Sequence, residues 1–143
     1  MDSGISPAKA AVYPRPGFSR DFAFFYEGIK NSRLLVAKCG RCGRLHHPPG
    51  PMCPMCHGNQ WLVHESNGRG IVYSFTIHYH PPIPPFSIPH AMALVDMEEG
   101  FRFFADIRGV APSDLHVGLP VEIAFVNFEA DFRMPVFQPR RSL

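Results

Sequence analysis

Long apolar runs are missing from this sequence of 143 residues. None approaches the ~18 residues of a membrane span. Charge is also scarce. Only 18% of residues are Asp, Glu, Lys or Arg, against 45% hydrophobic. That balance excludes a disordered chain. It also points to a surface that is partly covered by a partner, because free-standing surfaces carry more charge. The first residues, MDSGISPAKAAVYPRPG, lack a charged start followed by an apolar core. A secretory signal is therefore not expected, and the default expectation is a soluble cytoplasmic protein with reduced thiols. Catalytic signatures are absent too. There is no G-x-S-x-G, no Walker loop and no G-x-G-x-x-G.

What the chain does have is concentrated. All four cysteines lie in CGRCGRLHHPPGPMCPMCHG, as two C-x2-C pairs, Cys39 with Cys42 and Cys53 with Cys56. Four thiolates so spaced can close a tetrahedral metal site at about 2.3 Å per sulfur. Gly40, Gly43, Pro54 and Gly58 let the backbone turn sharply there, so that amide hydrogens can point at sulfur. The spacing reads as a zinc ribbon with a structural Zn2+. Iron in a rubredoxin-type centre is an alternative occupant, and disulfides are a second alternative. Four cysteines leave no open coordination position, which argues against a catalytic metal. His46, His47 and His57 are read as ordinary loop residues.

Before the cysteines, Pro7, Pro14, Pro16 and Gly17 mark an irregular arm. Ser19 to Lys30 then reads as a helix with Ser19 as N-cap and Asp21 in the first turn. Phe22, Phe25, Tyr26 and Ile29 share one face, with Phe24 off it. Such a face either packs on its own core or is lent to a partner. Leu34 to Lys38 is a short strand entering Cys39, and Trp61 to Val63 a returning one.

After Gly70 the period changes to two. Ile71, Tyr73, Phe75, Ile77 and Tyr79 alternate with Val72, Ser74, Thr76, His78 and His80, a strand signal. A Pro-rich loop runs from Pro81 to Pro89. Ala91 to Met97 and Phe101 to Arg108 read as hairpin partners around a Glu98-Glu99-Gly100 turn. Pro112 to His116 is one helical turn at most. Pro120 to Val126 is a fourth strand, Asn127 to Arg133 a polar link, and Pro135 to Gln138 a last short strand. Five strands with a helical turn between the third and fourth match the chain order of an OB-fold barrel. The expected fold is mainly β: an arm and helix over 1–33, a zinc ribbon over 34–65 and a five-stranded OB-fold over 66–143.

No catalytic group stands out. His78 and His80 share a strand face but read as a strand end meeting solvent. Asp96, Glu98 and Glu99 read as exposed charge on a turn. Nucleic-acid binding is the alternative function, since zinc ribbons and OB-folds both occur in such proteins. Charge speaks against it. Residues 1–50 hold eight Lys/Arg and three Asp/Glu, a balance of +5. Residues 51–143 hold six and nine, a balance of −3, and an acidic barrel is a poor footprint for phosphate. Lys38, Arg41 and Arg44 form a small basic cluster at the first knuckle, able to meet a phosphorylated cofactor or an acidic partner.

The stretches LLVAKCGRCGRLHHPPGPMCPMCHG (Leu34–Gly58), SNGRGIVYSFTIHYHPP (Ser66–Pro82), ALVDMEEGFRFFADI (Ala93–Ile107) and GLPVEIAF (Gly118–Phe125) resemble, in order, an acyl-CoA-associated family. That family joins a rubredoxin-like zinc ribbon to an OB-fold and was long catalogued as a domain of unknown function. Its four-cysteine pattern falls on Cys39, Cys42, Cys53 and Cys56. The resemblance implies a non-catalytic accessory subunit, with no catalytic residues of its own, for thiolases, thiolase-like aldolases of steroid side-chain breakdown and hydroxymethylglutaryl-CoA synthases. It also implies a CoA thioester shared with the partner. Some relatives are fused to a hotdog-fold enoyl-CoA hydratase domain; the resemblance implies that a hydratase here would be a separate subunit. The helix face of Phe22, Phe25 and Ile29 and the Pro-rich loop are the candidate partner contacts, and the basic knuckle a candidate contact for a CoA phosphate.

Overall fold

The computed structural model describes residues 12–17 and 19–141. Much of the expected arm, residues 1–11, lies outside them. Among the described residues no helix is long and apolar enough to cross a membrane.

The helix begins later and is shorter than the sequence suggests. A 3-10 turn, Arg20–Phe22, leads into α1, Ala23–Lys30. The Ser19 side chain makes no capping hydrogen bond; its carbonyl instead accepts the Phe22 N–H at 3.2 Å. At the other end Ser32 turns left-handed, with φ 57, and the Arg33 N–H closes back onto the Gly28 carbonyl at 2.8 Å. Gly28 is needed for a second reason. A Cβ there would lie 2.7 Å from Leu35 Cγ and 2.8 Å from the Arg33 carbonyl, so only glycine lets the helix close on the strand that follows.

That strand is β1, Leu35–Cys39. It sits between β2, Leu45–His46, and β3, Trp61–Glu65, in a three-stranded antiparallel sheet. The barrel sheet follows: β4 (Arg69–His78), β5 (His90–Met97), β6 (Arg102–Asp106), β7 (Pro120–Glu129) and β8 (Phe132–Pro139), ordered β6-β5-β4-β7-β8. β6 and β8 meet in a single parallel bridge, Ile107 with Phe137, backed by Arg108 N–H on the Phe137 carbonyl at 2.9 Å. With that bridge the sheet closes on itself, as in an OB-fold.

One segment differs from the sequence reading. Asn127 to Arg133 is not a polar link. β7 and β8 run through it, pairing Asn127 with Arg133 and Glu129 with Phe132 around a tight turn. Pro112 to His116 forms a single hydrogen-bonded turn, in keeping with the sequence, Asp114 and Leu115 both donating to the Ala111 carbonyl. Leu115 from this turn is nonetheless buried in the core.

β4 is regular in period but not in facing. Val72 pairs with Val95 and Ser74 with Leu94, so Tyr73 is an extra residue in the ladder. Such a bulge reverses which side chains point inward. Val72 is therefore buried while its neighbours Ile71 and Tyr73 are about half exposed, and beyond the bulge Phe75 and Ile77 are the ones packed against the core.

A single core joins all three parts. Phe25 and Ile29 of the helix, Val36 of β1, and Val72, Val95, Phe103, Val121 and Phe137 of the barrel are all buried in one cluster. Phe22, Phe24 and Tyr26 pack against it from the rim. Phe25 is 5% exposed and Ile29 2%. Burying side chains of this size gains roughly 1.5–3 kcal/mol each. The helix face is thus consumed inside the molecule, and Phe25 and Ile29 cannot serve as the partner contacts that their spacing suggested.

Candidate metal centre and its neighbours

The four cysteine thiols converge. Their sulfurs all lie within 4.8 Å of one another, with Cys39 to Cys56 at 3.5 Å and Cys42 to Cys53 at 3.7 Å. A disulfide would bring two sulfurs to about 2.05 Å, so these are free thiols. Four sulfurs about 2.3 Å from a common centre stand roughly 3.8 Å apart, which suits a tetrahedral ion.

The two knuckles are built alike. In the first, Gly43 N–H donates to the Cys39 carbonyl at 2.9 Å; in the second, His57 N–H donates to the Cys53 carbonyl at 2.9 Å. Gly43 has φ 79 and His57 has φ 61. Each knuckle also aims amides at sulfur. Cys42 N lies 3.5 Å from Cys39 Sγ, and Gly58 N 3.4 Å from Cys56 Sγ. His46 Nε2 lies 3.4 Å from Cys53 Sγ, and the His46 ring stands edge-on to Trp61. Trp61 in turn donates Nε1–H to the Gly50 carbonyl at 2.8 Å, tying the loop between the knuckles to β3. His46 and His57 are therefore parts of the centre's support, not ordinary loop residues.

Electrostatics argue for a cation. Hydrogen bonding, led by the Cys42 amide, lowers the Cys39 thiol to about 6. Burial opposes ionisation of Cys53, but the amides of Cys56 and Met55 outweigh it and lower that thiol as well. At Cys56 the Gly58 amide favours the thiolate. Burial and the three neighbouring cysteines win, and the thiol rises to about 11. Cys56 thus resists ionisation beside its neighbours, and a bound cation would remove that resistance.

The acidic turn does more than expected. Glu99 is not a free surface charge. Its carboxylate lies 2.5 Å from His64 Nε2, accepts from Ser66 Oγ at 2.5 Å and accepts from the Asn67 amide at 3.0 Å. Its neighbour Glu98 meets Arg140 at 3.0 Å and Asn67 Nδ2 at 3.2 Å. Glu99 thus fastens the β5–β6 hairpin to the strand leaving the ribbon. Asp96 pairs with Arg102 at 2.7 Å, and that guanidinium lies 3.7 Å over the exposed Tyr73 ring. Nothing in the sequence singled out Glu99 from Glu98; only the fold brings His64 and Ser66 beside it.

Other histidines separate into two kinds. His78 Nε2–H donates to the Pro81 carbonyl, 2.7 Å away, at the exposed end of β4, and His80 is exposed, in keeping with a strand end. His47 is different. Its ring is held 4.8 Å from Phe25 and 4.7 Å from Phe103, Nδ1 has no partner, and burial lowers its pKa to about 4. His90 stacks on Phe86 at 4.9 Å, with Nε2 3.0 Å from Asp106 but poorly aligned for a hydrogen bond. Of the basic knuckle, Arg41 reaches the Cys56 carbonyl at 3.4 Å, and Arg44 lines an open cleft of about 450 Å³ beside Arg102 and Asp96.

Comparison with known proteins follows the same division. Residues 27–61 match the family described as "ChsH2, rubredoxin-like zinc ribbon domain", and residues 63–126 match "ChsH2, C-terminal OB-fold domain". The chain is 40% identical over 129 residues to a probable enoyl-CoA hydratase alpha subunit of Thermomonospora curvata, covering 90% of this chain and 40% of that protein. It is 35% identical over 125 residues to the 3-oxo-4,17-pregnadiene-20-carboxyl-CoA hydratase alpha subunit of Mycobacterium tuberculosis, covering 87% and 40%. The chain thus spans about two fifths of the length of these two relatives. It is also 30% identical over 116 residues to the benzoylsuccinyl-CoA thiolase subunit BbsA of Thauera aromatica, covering 76% and 79%. Among solved structures, a chain of the Ltp2-ChsH2(DUF35) aldolase superposes with a TM-score of 0.82 at 40% identity, covering 87% of this chain and 98% of that one. On both fold and sequence, the chain belongs to the ChsH2 (DUF35) family of zinc-ribbon and OB-fold proteins.

Proposed function

We propose that this chain is a non-catalytic accessory subunit that binds a thiolase-superfamily or other acyl-CoA enzyme, such as a steroid side-chain aldolase, and supports its acyl-CoA site. The observation that carries the reading is the 40% identity and near-complete coverage against a chain of the Ltp2-ChsH2(DUF35) aldolase. Relatives named as subunits of acyl-CoA hydratases and a thiolase support the same chemistry.

The surface suits the role. The Pro-rich loop exposes Ile83 at 50% and Ile88 at 38%, and Tyr79 just before it is 52% exposed. Large apolar side chains held in solvent by a rigid Pro-rich segment are better explained by a covering protein than by the free chain. This loop replaces the helix face as the principal candidate contact. A CoA thioester would be shared between the partner and this subunit.

Cys39, Cys42, Cys53 and Cys56 are the proposed ligands of one structural Zn2+. The ion would neutralise the four thiolates and hold the two knuckles together; its closed set of sulfurs leaves it no part in turnover.

Co-expression with a thiolase-like acyl-CoA enzyme of the same organism should yield a complex that survives size exclusion. A chain that stays alone and monomeric in the presence of that enzyme would sink the subunit reading. In the same complex, Ile83→Asp should weaken association at least tenfold without changing the melting temperature of the free chain.

A further inference from the structure

Among the described residues, β6 and β8 pair only at the Ile107 and Phe137 bridge. Toward their N-terminal ends they splay, and the gap is a cavity of about 500 Å³, walled mainly by Phe25, Phe86, Phe103, Phe128 and Phe132. The volume lies within the ~300–1,000 Å³ of ordinary small-molecule sites. Its roof is a strap of the N-terminal arm. Tyr13 lies edge-on to Phe86 at 5.2 Å and 5.0 Å from Phe128. The Tyr13 amide donates to Glu129 at 3.1 Å, while Arg15 bridges Glu129 at 2.6 Å and Asp131 at 2.7 Å. One wall atom, His47 Nδ1, is buried without a partner.

We propose that this seam cavity is a binding site for a flat, uncharged ring system carrying a polar oxygen, entered beneath the Tyr13–Arg15 strap. Flat aromatic walls favour stacked or edge-on ring contacts over a flexible chain. The rim decides the charge. Asp106 lines the cavity, and Glu129 and Asp131 hold the strap, so a phosphate or carboxylate is repelled; Arg15 is already neutralised by the same two acids. The unpartnered imidazole nitrogen of His47 can bond a keto or hydroxyl oxygen in the tautomer that carries the proton there, or accept from a hydroxyl in the other. That the ring system is the acyl end of a thioester rests on the function proposed above. The cavity itself does not, because it is tested without CoA.

Equilibrium dialysis of the full chain, reconstituted with zinc, against 4-androstene-3,17-dione should show saturable binding of one molecule per chain. 1-Octanol, of comparable hydrophobicity but no rings, should bind at least tenfold more weakly. Ala105→Phe fills the cavity and should abolish binding. Should that variant fold poorly, Phe128→Ala at the rim should weaken binding at least fivefold with the melting temperature held. Arg15→Ala, on an exposed side chain, should speed association by loosening the strap. No binding of the steroid, equal binding of octanol, or full binding by a folded Ala105→Phe variant each overturns the proposal. None of these results bears on whether the chain co-purifies with an acyl-CoA enzyme, so the two readings fail separately.

Discussion

His57 occupies in the second knuckle the left-handed position that Gly43 occupies in the first, φ 61 against φ 79. Both donate their amides to the carbonyl of the cysteine four residues earlier. A side chain in this region costs about 1 kcal/mol that glycine avoids. His57→Gly should therefore stabilise the ribbon by about 0.5–1 kcal/mol, and Gly43→Ala should destabilise it by a similar amount. Chemical denaturation of the zinc-loaded chain separates the two; a loss of stability in His57→Gly would mean that the imidazole makes a contact worth more than the strain.

Zinc removal tests the centre as a whole. Elemental analysis should find one zinc per chain. Metal binding supplies about 10–16 kcal/mol in isolated zinc-finger peptides, so a chelator should unfold the ribbon. Cys53→Ser, on a fully buried side chain, should do the same or prevent soluble expression. A metal-free chain with native circular dichroism and unchanged melting would contradict the assignment.

Glu99 predicts an acid-labile fastening. Burial pushes its carboxyl up, but the bonds from Ser66, His64 and the Asn67 amide outweigh it and hold the pKa below the ordinary 4.5. A depressed carboxylate adds stability above its unfolded pKa and loses it as pH falls through the lower folded value. Stability should thus decline below about pH 4.5, and Glu99→Gln should flatten that decline while costing about 1–3 kcal/mol at neutral pH. Urea midpoints from pH 3 to pH 7 measure both.

His47 predicts a second, higher limb. Burial lowers its pKa from 6.5 to about 4, so between these values the unfolded chain takes up a proton that the folded chain refuses. Stability should fall as pH drops from 6.5 toward 4. In His47→Phe, which keeps the aromatic stack, that limb should disappear; its persistence would place the proton elsewhere.

Phe25 distinguishes a core residue from a contact residue. Phe25→Ala should cost about 3–5 kcal/mol in the free chain. Little loss of stability, with lost partner binding, would return the helix face to the surface.

Much of the architecture was legible in the sequence, for identifiable reasons. Two C-x2-C pairs restrict the backbone so tightly that the ribbon follows from spacing alone. Period-two runs from Ile71 and Phe101 show the barrel strands. What escaped was set by tertiary contact. Asn127 to Arg133 reads as polar because it is the far end of a long hairpin, where one face meets solvent while Phe128 and Phe132 turn to the other. The Tyr73 bulge reverses the facing of β4 with no composition cue. The helix face of Phe25 and Ile29 is the same whether buried by its own barrel or by another protein. Glu99 and Glu98 are neighbours of one type, and residues arriving from far along the chain, His64 and Ser66, set the first apart.

The narrow joints of the barrel have a mechanical consequence. β7 and β8 form one long hairpin, Pro120 to Pro139, held to β4 over just Arg69 to Ile71 and to β6 at one bridge, both near its base. Its far end is unsupported by the sheet and instead grips the strap through Glu129 and Asp131. At about 3.3 Å per residue the ten residues of β7 make an arm of roughly 30 Å. A rotation of a few degrees at the base moves the tip by ångströms, and whatever presses on that tip works the barrel's open side like a lever.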